Sequence, residues 1–172
     1  MRDLKRANAK EPAWKVLPGL GLEVFTPMQQ VLVTDRQGRR RREERPVVAD
    51  LLFVRARRED LDPIVAQTPT LQYRFKRGGA QGTPITVPTA DMERFMAALE
   101  ASPRPKVLQP QEVTPAMIGR RIRVETGPLQ GLTAHLLRLR GARTPHLLIE
   151  LEHLLAASIT LPPDSLFTLL PD

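Results

Sequence analysis

Arg39, Arg40, Arg41 and Arg42 form an unbroken run, with Arg36 and Arg45 on either side. Guanidinium groups pair bidentately with phosphate. On an extended arm, alternate side chains of such a run point to opposite faces. The chemistry implied is contact with DNA or RNA phosphates, salt-dependent and with little sequence preference. The opposing reading is a solvated hairpin partly neutralised by Glu43 and Glu44. Lys5, Arg6, Arg74, Lys76 and Arg77 make a second candidate basic patch.

Other chemistry has little support. His135, His146 and His153 do not fall at a zinc-binding spacing, and the chain has no cysteine to assist them. Gly78-Gly79-Ala80-Gln81-Gly82 lacks the Lys-Ser/Thr of a phosphate-binding loop and reads as a turn. No Ser/His/Asp order or paired carboxylates stand out. The expectation is a protein that is not an enzyme, with no metal and no cofactor.

The formal charge of +7 and pI near 10.7 favour polyanionic partners, either nucleic acid or an acidic protein face. The excess is uneven: residues 1–102 hold 18 Lys+Arg against 13 Asp+Glu, and residues 103–172 hold 8 against 6. The absence of cysteine fits a reducing, cytoplasmic setting. No apolar run approaches the roughly 20 residues that span a bilayer, so no membrane contact is expected. The opening Met1-Arg2-Asp3-Leu4-Lys5-Arg6 leads into no apolar segment and reads as no secretory signal.

The elements that must position these residues follow from periodicity. Ala13, Val16, Leu17 and Leu20 sit at i, i+3, i+4, i+7, a short amphipathic helix ended by Pro18-Gly19. Leu22 to Phe25 reads as a strand. Gln30 to Thr34, the turn Asp35-Arg36-Gln37-Gly38 and Arg39 to Glu43 read as a hairpin. Leu51-Leu52-Phe53-Val54 reads as a buried central strand. Leu61, Ile64 and Val65 suggest one or two helical turns. Leu71, Tyr73 and Phe75 alternate as one strand face. Met92, Phe95, Met96 and Leu99 mark a helix opened by Pro88. Residues 1–102 therefore read as an α+β domain with an antiparallel sheet covered by helices. The Pro-rich segment 103–115 reads as a linker. Residues 116–172 read as a small β-barrel: Arg121 to Glu125, Leu132 to Leu139 and His146 to Leu151 are strands between Gly/Pro turns. From Leu132 to Leu155 the chain is rich in Leu and Ala and poor in Val, which favours helix over strand.

Two stretches resemble a known family. Leu22-Glu23-Val24-Phe25-Thr26-Pro27, a basic hairpin, and Arg45-Pro46-Val47-Val48-Ala49-Asp50-Leu51-Leu52-Phe53-Val54 resemble the N-terminal (NGN) domain of NusG proteins, with its "F-x-P" and "P-L-F-P-G-Y-L-F-V" segments. Ile122-Arg123-Val124-Glu125-Thr126-Gly127-Pro128-Leu129-Gln130-Gly131-Leu132 resembles the KOW motif, "V-x-V-x-x-G-P-F-x-G-x-x-G". Arg2 to Lys10, Leu61-Asp62-Pro63 and Thr68 to Arg74 look like the specialised UpxY-like paralogues encoded beside capsular polysaccharide operons. Four departures stand out. Ala49-Asp50 replaces Pro-Gly, Val47-Val48 replaces the bulkier pair, Ala134 stands in place of the second KOW glycine, and most of the family's first strand is missing ahead of Arg2, which would expose a sheet edge.

The resemblance implies an NGN-type sheet followed by an SH3-like KOW barrel. It implies a monomeric transcription antitermination or elongation factor that binds RNA polymerase and promotes readthrough of a long operon. Phe25, Val48 and Leu51 would face the polymerase clamp, or simply fill the core. Lys5, Arg6, Arg39, Arg40, Arg41, Arg42, Arg74 and Arg77 would lie near non-template DNA or nascent RNA. Gly127, Pro128, Leu129 and Gly131 would form the KOW loop, with Leu129 at the tip for a ribosomal protein or a termination factor. Some paralogues hold this second domain as a helical hairpin. A KOW-type RNA- or ribosome-binding protein is the alternative.

Overall fold

A computed structural model describes residues 1–5, 9–76, 82–102, 104–151 and 154–171. Contacts divide the chain into two units, Met1–Thr86 and Val87–Asp172. The boundary falls ahead of the helix that the sequence assigns to the first domain.

In the first unit, α1 (Ala13–Val16) runs into a 3-10 turn over Leu17–Leu20. Gly21 ends that turn at φ 79°, a left-handed conformation that glycine takes without a Cβ penalty. The apolar stripe buries Ala13 and Leu17 against Leu52 and Leu71, with Leu22, Val24, Val54, Ile64 and Val65 packed around them. Each such leucine contributes roughly 1.5–3 kcal/mol when removed from water. β2 (Glu23–Phe25) pairs antiparallel with β5 (Phe53–Arg55). α2 (Arg58–Gln67) is longer than the one or two turns expected, and holds Pro63 inside it.

β1 (Arg2–Asp3) pairs antiparallel with β6 (Leu71–Gln72), and Arg2 also bridges Leu51. The open edge expected from a missing first strand is thus occupied in short form. β6 is shorter than the alternation through Phe75 suggested. Pairing with β1 stops after Gln72, and Phe75 bridges Pro84 instead. β3 (Met28–Thr34) and β4 (Arg40–Pro46) make a separate two-stranded hairpin. The Gly78–Gly82 turn lies largely outside the described residues; Gly82 alone is described, at φ 88°.

The second unit is a six-stranded antiparallel sheet in the order β12-β8-β9-β10-β11-β7. The strands are β7 (Lys106–Leu108), β8 (Ile118–Val124), β9 (Thr133–Leu137), β10 (His146–Leu151), β11 (Leu155–Thr160) and β12 (Phe167–Leu169). The stretch that resembles a linker therefore holds a strand and a 3-10 turn over Pro110–Glu112. β7 lies at a sheet edge, where neighbouring prolines are tolerated. Leu132 to Leu155, helical by composition, builds β9 and β10. Burial outweighs propensity here: Leu147, Ile149, Leu151, Leu155, Ala157 and Ile159 fill one face of the β10–β11 pair, and Leu148, Ala156 and Ser158 are buried on the other. α3 (Thr89–Ala101) packs on β10 and β11, burying Phe95 and Ala98. The two helices expected to cover one sheet thus belong to different units.

β8 carries a bulge. Ile118 pairs with Leu137 but Arg121 pairs with His135, so one extra residue sits on β8. Gly119 lies there, and a Cβ on it would stand 2.8 Å from the Leu136 carbonyl oxygen. Gly119→Ala must therefore shift backbone and cost about 1–3 kcal/mol. Urea unfolding would read this as a lower midpoint; an unchanged midpoint would show that the bulge gives way freely.

Candidate functional site

The turn from Val48 to Leu51 links the hairpin to β5, closed by Leu51 N–H donating to the Val48 carbonyl at 3.2 Å. Val47 N–H donates to the Pro27 carbonyl at 2.8 Å, continuing the β3–β4 pairing by one residue and tying this turn to the segment between β2 and β3. Phe25 stacks on Phe53 across the β2–β5 pair, ring centroids 6.1 Å apart and tilted by 41°. Phe25 and Val48 are half-buried and present part of their apolar surface to solvent. Leu51 does not. It is only 3 % exposed and belongs to the core, so its role as a docking contact is corrected. Its backbone bridges Arg2, which fixes that position beside β1.

The segment behind this turn is held by charge. The Asp50 carboxylate meets Arg74 at 2.9 Å and Arg2 at 3.4 Å. Arg74 is thereby committed to a half-buried ion pair rather than to a nucleic acid. Lys5 is similarly engaged, with Nζ donating to the Glu11 carbonyl at 2.7 Å. Arg6 and Arg77 lie outside the described residues. Asp3, which the sequence reading missed, is 4 % exposed. Its carboxylate accepts from the Ala13 N–H at 2.6 Å and the Lys5 N–H at 3.0 Å, placing negative charge at the start of α1. The separation of ten residues along the chain hides this contact from a local reading.

The arginine run lies on β4. Arg41 and Arg45 both reach Glu43, at 3.6 and 3.3 Å, and Arg39 reaches Asp35 at 4.0 Å. Arg40 and Arg42 are exposed.

In the second unit, Gly127 and Gly131 take φ 83° and 81°, so the loop needs glycine at both. Gln130 N–H donates to the Gly127 carbonyl at 3.0 Å, and Gly131 N–H to that of Val124 at 2.7 Å. The loop folds back on its own strand, and Leu129 is 5 % exposed. Leu129 is a core residue and not a tip contact, whereas Gly127, Pro128, Gln130 and Gly131 are exposed. Ala134 pairs with Ile122 and is buried at 5 %, so the strand accepts a methyl where the KOW pattern has glycine. His135 Nδ1 lies 3.2 Å from the Gly119 carbonyl, and His146 Nδ1 lies 3.4 Å from Ser158 Oγ. His153 is outside the described residues. Among the described residues no group of His, Asp or Glu is placed to hold a metal, and no helix is long and apolar enough to cross a membrane.

A family model described as "Transcription termination factor nusG" matches residues 5–96, more than half of the chain. The chain belongs to the NusG family. It is a transcription elongation- or termination-related factor, of a family whose members typically bind RNA polymerase. No curated protein matches it. The matched span covers the whole first unit from residue 5 onward and the first part of α3.

One titration reports on the first unit. The Tyr73 hydroxyl donates to Asp62 at 2.7 Å. Burial foremost, then that hydrogen bond and the Asp62 charge, push the phenol from 10.0 up to about 12. A folded value above the unfolded one stabilises the unit fully below pH 10, and that contribution is lost as pH rises through 12. Tyr73 is the one tyrosine of the chain, so phenolate absorbance reads it alone. The expected midpoint lies near 12, and lower in Asp62→Asn; a midpoint at 10 in both proteins would show that the bond has no effect.

Proposed function

We propose that this NusG-family chain is a non-enzymatic factor that docks on RNA polymerase through Phe25 and Val48. The observation that carries this reading is that both half-buried side chains keep apolar surface in solvent, on segments joined by the Val47–Pro27 hydrogen bond, whereas Leu51 and Leu52 are buried. A few apolar anchors on a fixed backbone supply most of the affinity for a helical partner. The partner would be the clamp helices of the polymerase. Docking would act by binding one clamp state better than another, which favours continued elongation without covalent chemistry. Antitermination over a long operon, and a UpxY-like role in capsular polysaccharide synthesis, are the finer forms of the same reading. The setting is the bacterial cytoplasm.

The second unit would act as a KOW-type module that recruits a ribosomal protein or a termination factor. With Leu129 buried, the exposed Pro128 is the apolar side chain of the loop that would meet it, flanked by exposed Gly127 and Gln130. A KOW-type RNA- or ribosome-binding role is the second reading; salt-sensitive RNA binding without retention on polymerase would favour it.

The test is retention of the full chain on immobilised core polymerase. Val48→Asp and Phe25→Ala should each lose about 2 kcal/mol, roughly thirtyfold in affinity. Leu20→Asp, at a leucine 58 % exposed on the 3-10 turn, should be retained like the parent. Fluorescence of Trp14, the one tryptophan, checks that each variant unfolds at the parent's temperature. Equal retention of all four proteins would reject the docking face.

A further inference from the structure

β3 and β4 pair over seven positions, from Met28 with Pro46 to Thr34 with Arg40, and bond to no other strand among the described residues. Directly paired residues share a face. One face therefore carries Gln29 with Arg45, Val31 with Glu43, and Val33 with Arg41. The other carries Gln30 with Glu44, Leu32 with Arg42, and Thr34 with Arg40.

The two faces differ in charge. On the first, Glu43 holds both Arg41 and Arg45, and Asp35 at the turn holds Arg39. Val31 and Val33 on that face are half-buried. On the second, Arg40 and Arg42 form no ion pair among the described residues, nor does Arg36 at the turn. Leu32 lies opposite Arg42 and is 62 % exposed. Glu44 is the one acid of this face, at the end away from the turn.

We propose that the Leu32–Arg40–Arg42 face, with Arg36 at its tip, binds duplex DNA as a β-ribbon in the major groove. A two-stranded ribbon is an established fit for a groove about 12 Å wide. Arg40 and Arg42 are two residues apart, roughly 6.8 Å along the strand. That span equals two base-pair steps of about 3.4 Å. Unpaired guanidiniums reach phosphates bidentately, and Leu32 meets the apolar floor of the groove, such as a thymine methyl. An acidic protein would also satisfy the charge but offers no groove for the ribbon, and its binding is an outcome of the test. The inference concerns DNA alone and stands apart from polymerase docking.

The experiment is fluorescence anisotropy of the full chain with a labelled 20-base-pair duplex, titrated across a range of salt, with no polymerase present. Each lost phosphate contact lowers the log–log salt slope by about 0.9, so Arg40→Gln/Arg42→Gln should lower it by about 1.8. Arg41→Gln, on the neutralised face, should keep the parent's slope, and Arg40→Lys/Arg42→Lys should keep most of it. Unfolding temperatures equal to the parent's separate lost contact from lost fold. An equal slope in all variants would overturn the proposal, as would no binding by the parent. Tighter binding of a single-stranded oligonucleotide or of polyglutamate than of duplex, with the same arginine dependence, would also overturn it.

Discussion

The first unit depends on how three consecutive residues, Asp50, Leu51 and Leu52, are gripped. The Asp50 carboxylate takes Arg74 and Arg2, and its carbonyl accepts from the Asp3 N–H at 3.0 Å. Leu51 is bridged to Arg2, and Leu52 is sealed at 2 % exposure against α1. The Leu52 N–H donates to Met1 at 3.3 Å, and the Leu52 carbonyl accepts from Met1 at 2.8 Å. Such a segment has no freedom to follow a partner. Val48 and Ala49, just before it, are thus presented on a backbone whose far end is fixed. A contact built on Val48 pays little ordering entropy on binding.

That grip also explains why an aspartate is tolerated where the NGN pattern has glycine. A half-buried carboxylate left alone would be costly. Here it is met by two guanidiniums, that of Arg2 on β1 and that of Arg74 just beyond β6. The arginines that sequence reasoning would offer to a nucleic acid are therefore spent in part on the fold. A surface pair of this kind is worth little by itself, but one that also fixes a strand pairing acts through geometry.

Much of the fold was legible because local pattern and tertiary demand agree. The β3–β4 hairpin with its Asp35-to-Gly38 turn and the α3 stripe lie where periodicity puts them; of the α1 stripe, Ala13 and Leu17 are buried but Val16 and Leu20 are exposed, because the α-helix gives way to a 3-10 turn after Val16. What escaped depends on distance along the chain. Nothing local says that α3 packs on β10 and β11, that Asp3 reaches α1, or that Lys106 to Leu108 pairs with β11. β9 and β10 were legible as strands by their bounding turns, against their own composition. Leu51 and Leu129 show the same limit in the candidate sites. Each stands at a position that the resemblance gives to a partner, and each is buried by a backbone contact that the motif does not encode.

The arginine run shows how a sheet converts one composition into two surfaces. Read as sequence, the residues from Arg39 to Arg42 are equivalent charges. Read on β4, alternation sends Arg41 to the side of Glu43 and leaves Arg40 and Arg42 beside Leu32 and Thr34. Arg39 falls where the turn brings Asp35 within reach. The acids are placed to neutralise one face and the tip's flank, so the remaining charge is concentrated rather than spread. A net charge of +7 therefore overstates how widely the molecule attracts a polyanion and understates how sharply it can orient one. On a ribbon bonded to no other strand among the described residues, that asymmetry would set which side meets a phosphate backbone before any base is read.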